Sequence, residues 1–281
     1  MDTNVEVKMI DVEKVFRDKD EKMARRIPQF FFNYLKRVVH QKELNKALLR
    51  FKDLQGIDFV AAILNFMGVI ITFEGLENIA GDGRVLLASN HPLGGLDGLA
   101  LIKVVAQCHK NIAIPGNDIL MNIPNLTSLF IPINKHGSNV QNMEIINDTF
   151  ASDKTILYFP AGLCSRKQKG IICDLEWKKT FVTKSRYYKR DIVPVHITGR
   201  NSDWFYNLAN WRKWLGLKLN IEMLYLVDEM FKQNNKNIHI IFGKPIPFAT
   251  FDKRYKDIEW ADKLKTHVYQ IEHNKSIEFS V

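Results

Sequence analysis

The chain has 281 residues, 46% of them hydrophobic and 25% charged, a balance that excludes a disordered chain and leaves enough apolar surface for a sizeable buried core. Its 40 lysines and arginines against 31 acidic residues give a formal charge of +9, which draws the surface to polyanions such as anionic lipid or an acidic carrier. The three cysteines, Cys108, Cys164 and Cys173, form no paired spacing, which argues for a reducing compartment and against a disulfide framework or a cysteine metal cluster.

Residues 1–70 read as an N-terminal helical region and residues 71–281 as an α/β domain. The terminus is polar, with Asp2, Glu6, Asp11 and Glu13, so no signal peptide is expected and the cytoplasm is the expected compartment. Ile27 to Val39 mixes a Phe/Tyr/Leu/Val face with Lys36 and Arg37, which suits either a basic amphipathic helix on a membrane or a helix packed on its own core. The longest apolar run, Phe59 to Phe73, is broken by Asn65 and Thr72 and falls short of the roughly 20 residues that span a bilayer. It reads as a buried or interfacial helix leading into a strand.

From there strands and helices alternate. Strands are expected at 84–90, 111–115, 129–134, 155–159, 192–198 and 238–242, with helices at 98–108 and 140–151. This pattern predicts an α/β fold with a mixed, largely parallel sheet covered by helices on both faces, and with the helical region as an appendage. The segment Trp204 to Leu217 holds three of the five tryptophans beside Arg212 and Lys213, a composition that favours a membrane headgroup boundary over a core helix. Lys253 to Ser276 reads as a charged, mostly exposed helix.

Val85 to Asp97 carries the chemistry. An apolar strand delivers Asn90 and His91 into a turn that Pro92, Gly94 and Gly95 keep from staying extended or helical, and a carboxylate follows at Asp97. A histidine at the carboxyl edge of a sheet, oriented by a carboxylate, can take the proton of a hydroxyl and activate it toward an acyl group. Asp97 also precedes an apolar helical run, where it would serve as an N-cap and leave His91 an ordinary loop residue.

Asn90 and His91 through Asp97 resemble the first motif of the glycerophospholipid acyltransferase superfamily, of the lysophosphatidate acyltransferase type. Leu129 to Lys135, Tyr158 to Arg166 and Ile192 to Gly199 resemble its later blocks in the right order, and Phe73 to Ile79 and Ile241 to Ile246 resemble its flanks. Two departures stand out. Five residues separate His91 from Asp97 where the family has four, and the third block carries Ala161 and Cys164 where the family has a glutamate and a phosphate-binding arginine. Arg166 is the expected compensation, and the Pro-Leu-Gly-Gly loop is more similar to bacterial relatives that acylate lyso forms of amino-acid lipids.

The resemblance implies an O-acyltransferase that moves a fatty acyl group from an acyl carrier protein or CoA thioester to the hydroxyl of a lysolipid in membrane lipid biosynthesis. No tightly bound cofactor is implied. His91 would be the base, Asp97 its partner and Asn90 a brace for the loop. Backbone N–H groups around Pro160 to Gly162 would face the oxyanion, with Gly162 allowing its close approach, and Lys135, Arg166 and Lys167 would bind the headgroup or the carrier's phosphate. The remaining histidines, His196 and His136 included, show no ligand pairing, so no metal is expected. The basic residues from Arg166 to Arg190 and the tryptophan segment suggest a peripheral protein on the inner, anionic face of the cell membrane, and the charge comes without a zinc-finger or RNA-binding signature, which sets nucleic acid aside. A lipid or thioester hydrolase and a catalytically altered membrane-binding homologue are the competing readings; no Gly-x-Ser-x-Gly elbow is present, and Cys164 has no activating partner visible in the sequence.

Overall fold

The computed structural model describes residues 9–81, 84–117, 123–133 and 140–280. Helices come first: α1 (Val12–Lys19), α2 (Glu21–Ala24), α3 (Gln29–Val38), α4 (Gln41–Arg50) and α5 (Gly56–Phe66). Then follow β1 (Ile70–Glu74), β2 (Leu86–Ser89), α6 (Gly95–Val105), β3 (Ile112–Asn117), β4 (Phe130–Ile133), α7 (Val140–Ala151) and β5 (Thr155–Tyr158). A short hairpin of β6 (Arg166–Gln168) and β7 (Ile171–Cys173) leads to α8 (Thr180–Tyr188), β8 (Ile192–Ile197), α9 (Asp203–Trp214), α10 (Leu226–Phe231), β9 (Asn237–Phe242) and α11 (Asp257–Gln270).

The strands form a seven-stranded sheet in the order β1-β9-β8-β2-β5-β3-β4. Only the β8–β9 pair within it is antiparallel, so the expected mixed, largely parallel α/β sheet is what the chain builds. Alternate residues of the central strands enter two separate cores. Leu87, Leu157 and Val193 join Phe59 and Leu64 of α5 and Leu96 and Leu101 of α6 on one face, whereas Leu86, Ala88, Ile156 and Ile192 join Phe150, Phe181, Trp260 and Leu264 of α7, α8 and α11 on the other. Burial on both faces explains why β2 and β8 read as mostly apolar runs rather than as alternation. Each such side chain contributes about 1.5–3 kcal/mol on leaving water.

Leu48, Phe59, Val60, Leu64, Met67 and Val69 belong to the same buried cluster as the sheet residues, so α4 and α5 complete one wall of its core. The apolar run from Phe59 divides into buried α5 and edge strand β1, and no helix among the described residues is long and apolar enough to cross a membrane. In α3, Phe32, Leu35 and Val38 face inward while Phe30, Phe31 and Tyr34 are exposed, so that helix is apolar on both sides.

Three expectations need correction. The helix after the Asn-His turn begins at Gly95 rather than Gly98, because Gly94 at φ +74° turns the chain directly into it. The C-terminal helix starts at Asp257 and is not mostly exposed: Trp260, Ala261, Leu264, His267 and Val268 are buried along one stripe, while Asp262, Lys263 and Lys265 lie between them in sequence. The basic residues from 166 to 190 do not share a face. Arg166 and Arg190 are buried, Arg190 donating to the carbonyls of Phe150 and Lys154 at 2.7 Å each, and Arg186 pairs with Asp257 at 2.8 Å.

Candidate active site

Strand β2 lies between β8 and β5, parallel to both, so the carboxyl ends of three strands meet around residues 90, 159 and 197. Beyond Ser89 the ladder is continued by a side chain. The buried Asn90 accepts the Ile197 N–H at 2.7 Å and donates to the Ile197 carbonyl at 2.9 Å, which ties the start of the turn to β8. Asn90 therefore braces the turn, and its amide is fully engaged in doing so.

His91 follows, its side chain 16% exposed and its ring stacked on Phe159 at 4.3 Å. Its Nδ1 lies 3.0 Å from Asp97 Oδ2, and the same oxygen accepts the Leu93 N–H at 2.8 Å. Asp97 is the third residue of α6, so its carboxylate reaches back across the helix N-terminus to hold both the turn and the ring. The extra residue between His91 and Asp97 is absorbed by the Gly94 turn, where any side chain would be strained and would press on Leu226. The capping and base-orienting accounts of Asp97 thus describe one geometry. With Nδ1 engaged, Nε2 is the nitrogen presented to a substrate. Asp97 is fully buried, and burial pushes its carboxyl above the usual carboxylate range against the opposing hydrogen bonds from His91 and Leu93.

Sequence spacing gave no reason to single out Asp174, a fully buried carboxyl on the loop after β7. Its Oδ1 accepts the His91 N–H at 3.1 Å and the Ser165 hydroxyl at 2.6 Å, and its Oδ2 accepts the Trp177 indole N–H at 2.8 Å. The Ser165 N–H in turn donates to the His91 carbonyl at 2.8 Å. The one signal in the chain is the Asp-Leu-Glu-Trp stretch at 174–177, which carries no periodicity.

The third block, from Tyr158 to Arg166, lines the turn from the β5 side. Phe159 provides the ring against His91, and Gly162 at φ +68° closes a tight turn in which its own N–H bonds the Phe159 carbonyl at 3.0 Å, with the Pro160 carbonyl accepting from Lys178 N–H at 3.1 Å. In this arrangement the Gly162 N–H has a protein partner. Arg166 lies inside: it donates to Glu222 at 3.0 Å and to the Cys164 carbonyl at 2.7 Å, and its guanidinium lies 5.3 Å from the Phe205 ring. Glu222 is fully buried, and Arg212 Nε is 2.9 Å from its other oxygen, so two arginines hold one carboxylate away from solvent. Lys167 is at the surface, 3.8 Å from Asp203. Cys164 is buried and its thiol is pushed up by burial, which suits packing rather than nucleophilic attack. Lys135 and His136 lie outside the described residues.

A histidine held by a carboxylate at the edge of a parallel sheet is an arrangement that can take a proton from a hydroxyl. The family model described as acyltransferase matches residues 14–274. The chain belongs to the acyltransferase family. This acyltransferase is 48% identical over 265 residues to the lyso-glycine lipid O-acyltransferase of Bacteroides thetaiotaomicron, covering 94% of this chain and 97% of that one. It is likewise 48% identical over 271 residues to the lyso-glycine lipid O-acyltransferase of Phocaeicola vulgatus, covering 96% and 97%. The crystal structure of the 1-acyl-sn-glycerophosphate acyltransferase PlsC from Thermotoga maritima aligns with 94% of this chain and 88% of that one at 16% identity, with a TM-score of 0.49. The family resemblance read from the four blocks is thereby borne out, and the protein is an O-acyltransferase.

Proposed function

We propose that this acyltransferase moves a fatty acyl group from an acyl carrier protein or CoA thioester to the free hydroxyl of a lysolipid, in membrane lipid biosynthesis. The observation that carries the reading is the His91 ring, fixed at Nδ1 by Asp97 3.0 Å away and free to meet substrate at Nε2. As the acceptor oxygen attacks the thioester carbonyl, Nε2 takes its proton while Asp97 holds the imidazole tautomer and stabilises the imidazolium. Collapse of the tetrahedral intermediate expels the carrier thiolate, which recovers the proton from His91, and the ester remains on the lipid. No covalent enzyme intermediate is needed.

The third block supports an acceptor class. Cys164 replaces the family's phosphate-binding arginine and is buried, and the guanidinium of Arg166 is engaged with Glu222, so neither offers a cation to a glycerol phosphate. A headgroup without that phosphate, such as the lyso-glycine lipid named for the relatives, fits these residues better.

The enzyme reaches such an acceptor from the bilayer surface. Trp204, Trp211 and Trp214 of α9 are exposed, Trp214 at 83%, and Leu215, Leu217 and Leu219 extend the apolar strip. Trp204 packs on Tyr225, whose hydroxyl lies 2.6 Å from that of Tyr34, so the exposed Phe30 and Phe31 of α3 border the same surface. Lys213 and Lys218 add positive charge beside it. Leu226 next to Gly94 connects this face to the catalytic turn. Apolar wedges with flanking cations suit an anionic lipid surface and support a peripheral position on the inner face of the membrane.

Incubating the purified protein with a radiolabelled acyl thioester and either lyso-glycine lipid, lysophosphatidate or no acceptor tests the reading. Diacylated lipid is expected from lyso-glycine lipid in preference to lysophosphatidate. Free fatty acid released at the same rate without acceptor would make it a hydrolase, and no turnover under any condition would make it an altered membrane-binding homologue.

A further inference from the structure

His91 lies beyond the last ladder position of β2, so its main chain has no strand partner to fix it, and the Pro92 that follows has no N–H to contribute. One side chain and one main-chain N–H supply what the sheet does not. His91 N–H donates to Asp174, Ser165 N–H donates to the His91 carbonyl, and the Ser165 hydroxyl donates to the same Asp174 oxygen, which closes a ring of hydrogen bonds 2.6 to 3.1 Å long around one residue. The loop that bears Asp174 is itself anchored on α11: its N–H donates to the Tyr269 hydroxyl at 2.8 Å, and its carbonyl accepts from Lys265 at 2.8 Å.

We propose that Asp174 and Ser165 are positioning residues for acyl transfer, fixing the main chain of His91 as Asp97 fixes its ring. The proposal rests on His91 being the base. Asp97 and the Phe159 stack determine where the imidazole turns, but the place from which it turns is set by the His91 Cα, and a displacement of about 1 Å at a proton-transferring atom lowers turnover on the order of a hundredfold. A clasp of the Asp174 side chain and the Ser165 main chain, tied together by the Ser165 hydroxyl, holds that position where a strand would otherwise have to. It is carried by the hairpin β6–β7, which gives that short two-stranded unit a purpose: it brings Ser165 and Asp174 to the same side of the turn.

The contacts of Asp174 separate this role from a structural one. Oδ1 accepts from His91 and Ser165, whereas Oδ2 accepts only from Trp177 among the described residues, so Trp177→Phe removes a buried bond of similar length without touching the His91 main chain. Ser165→Ala removes the hydroxyl and leaves the Ser165 N–H in place. Asp174→Asn keeps the shape but turns an amide N–H toward a donor on one side or the other.

The experiment measures kcat, KM for the lysolipid and thermal melting for Ser165→Ala, Asp174→Asn and Trp177→Phe, and repeats Asp174→Asn in a His91→Ala background. Ser165→Ala and Asp174→Asn should lower kcat about tenfold or more with KM changed by less than about twofold. Trp177→Phe should lower the melting temperature with kcat retained, and Asp174→Asn should take nothing further from the residual activity of His91→Ala. If Asp174→Asn does not fold, Ser165→Ala decides the comparison. Unchanged kcat in Ser165→Ala, kcat falling in Trp177→Phe as far as in Ser165→Ala, or a further loss in the His91→Ala background would overturn the proposal. His91→Ala with full turnover would remove the base and the clasp together, whereas inactive His91→Ala beside a fully active Ser165→Ala would overturn the clasp alone.

Discussion

Asp97 Oδ2 binds His91 Nδ1 at 3.0 Å and the Leu93 N–H at 2.8 Å, while Oδ1 of the same buried carboxyl has no hydrogen-bond partner among the described residues. One oxygen of the group holds the ring and the turn, and the other is desolvated without return. That combination predicts a residue that helps catalysis at the expense of stability.

Asp97→Asn should therefore fold as well as the parent or better, and lose most of its transfer activity. Because one oxygen serves both His91 and Leu93, the amide either keeps its oxygen there and loses the charge that stabilises the imidazolium, or turns its NH2 there, meets the Leu93 N–H and forces the His91 proton to Nε2, the wrong tautomer for a base. A fall in kcat on the order of a hundredfold or more is expected. The pH dependence follows from the direction of the shift. Native Asp97 holds its proton to higher pH than the unfolded chain, whose group titrates near 3.8, so between those two values the native state binds more protons and stability falls as pH rises. Carboxylates held low, such as Glu74 and Asp228, make stability rise over the same range, so from pH 3 upward the melting temperature should climb more steeply for Asp97→Asn than for the parent.

Asn90 answers to the opposite test. Its buried amide satisfies both the N–H and the carbonyl of Ile197, at 2.7 and 2.9 Å, and Asn90→Ala leaves both groups dry and unpaired. At about 1–3 kcal/mol for each orphaned group, the loss should appear as a large drop in melting temperature and in soluble yield. Unchanged melting with lost activity would instead make Asn90 a group that touches substrate.

Arg166 is held between Glu222 and the Cys164 carbonyl, which predicts a structural phenotype. Arg166→Gln should destabilise the protein by about 3–5 kcal/mol, because Glu222 stays buried with only Arg212 beside it. The KM for the acceptor should not change in whatever protein remains folded. A raised KM with an unchanged melting temperature would restore Arg166 as a headgroup ligand.

The tryptophans of α9 make the membrane reading measurable. Trp211 and Trp214 are 53% and 83% exposed, so replacing both with alanine should leave the melting temperature within about 1–2 °C of the parent. Co-sedimentation with anionic vesicles should weaken, most visibly at high salt, where apolar insertion is what remains. Undiminished binding would move the membrane contact elsewhere.

Much of this was readable in the chain, and the failures have physical causes. The central strands announce themselves because burial on both faces leaves few polar positions: Leu86 to Ser89 and Ile192 to Ile197 agree with the expected 84–90 and 192–198 to within a few residues. Edge strand β1 was visible only as the tail of an apolar run, since Ile70 and Phe73 are exposed at the sheet's rim. The buried face of α11 was masked by charge, although Trp260, Leu264 and Val268 repeat every four residues. His91, Asp97 and Asn90 share one stretch of chain and could be read together. Asp174 is 83 residues from His91, and nothing local to it distinguishes a clasp from any other loop aspartate. Arg166 was misjudged for the same reason, because its partner Glu222 is 56 residues away.

The most direct test of the account is His91→Gln. Glutamine is similar in length, keeps the turn polar and has no titratable nitrogen. With lysolipid and acyl thioester at saturation, kcat should fall about a hundredfold or more while melting temperature and vesicle binding match the parent. Turnover within a few-fold of the parent would show that the proton leaves the acceptor by another route, and would contradict His91 as the base.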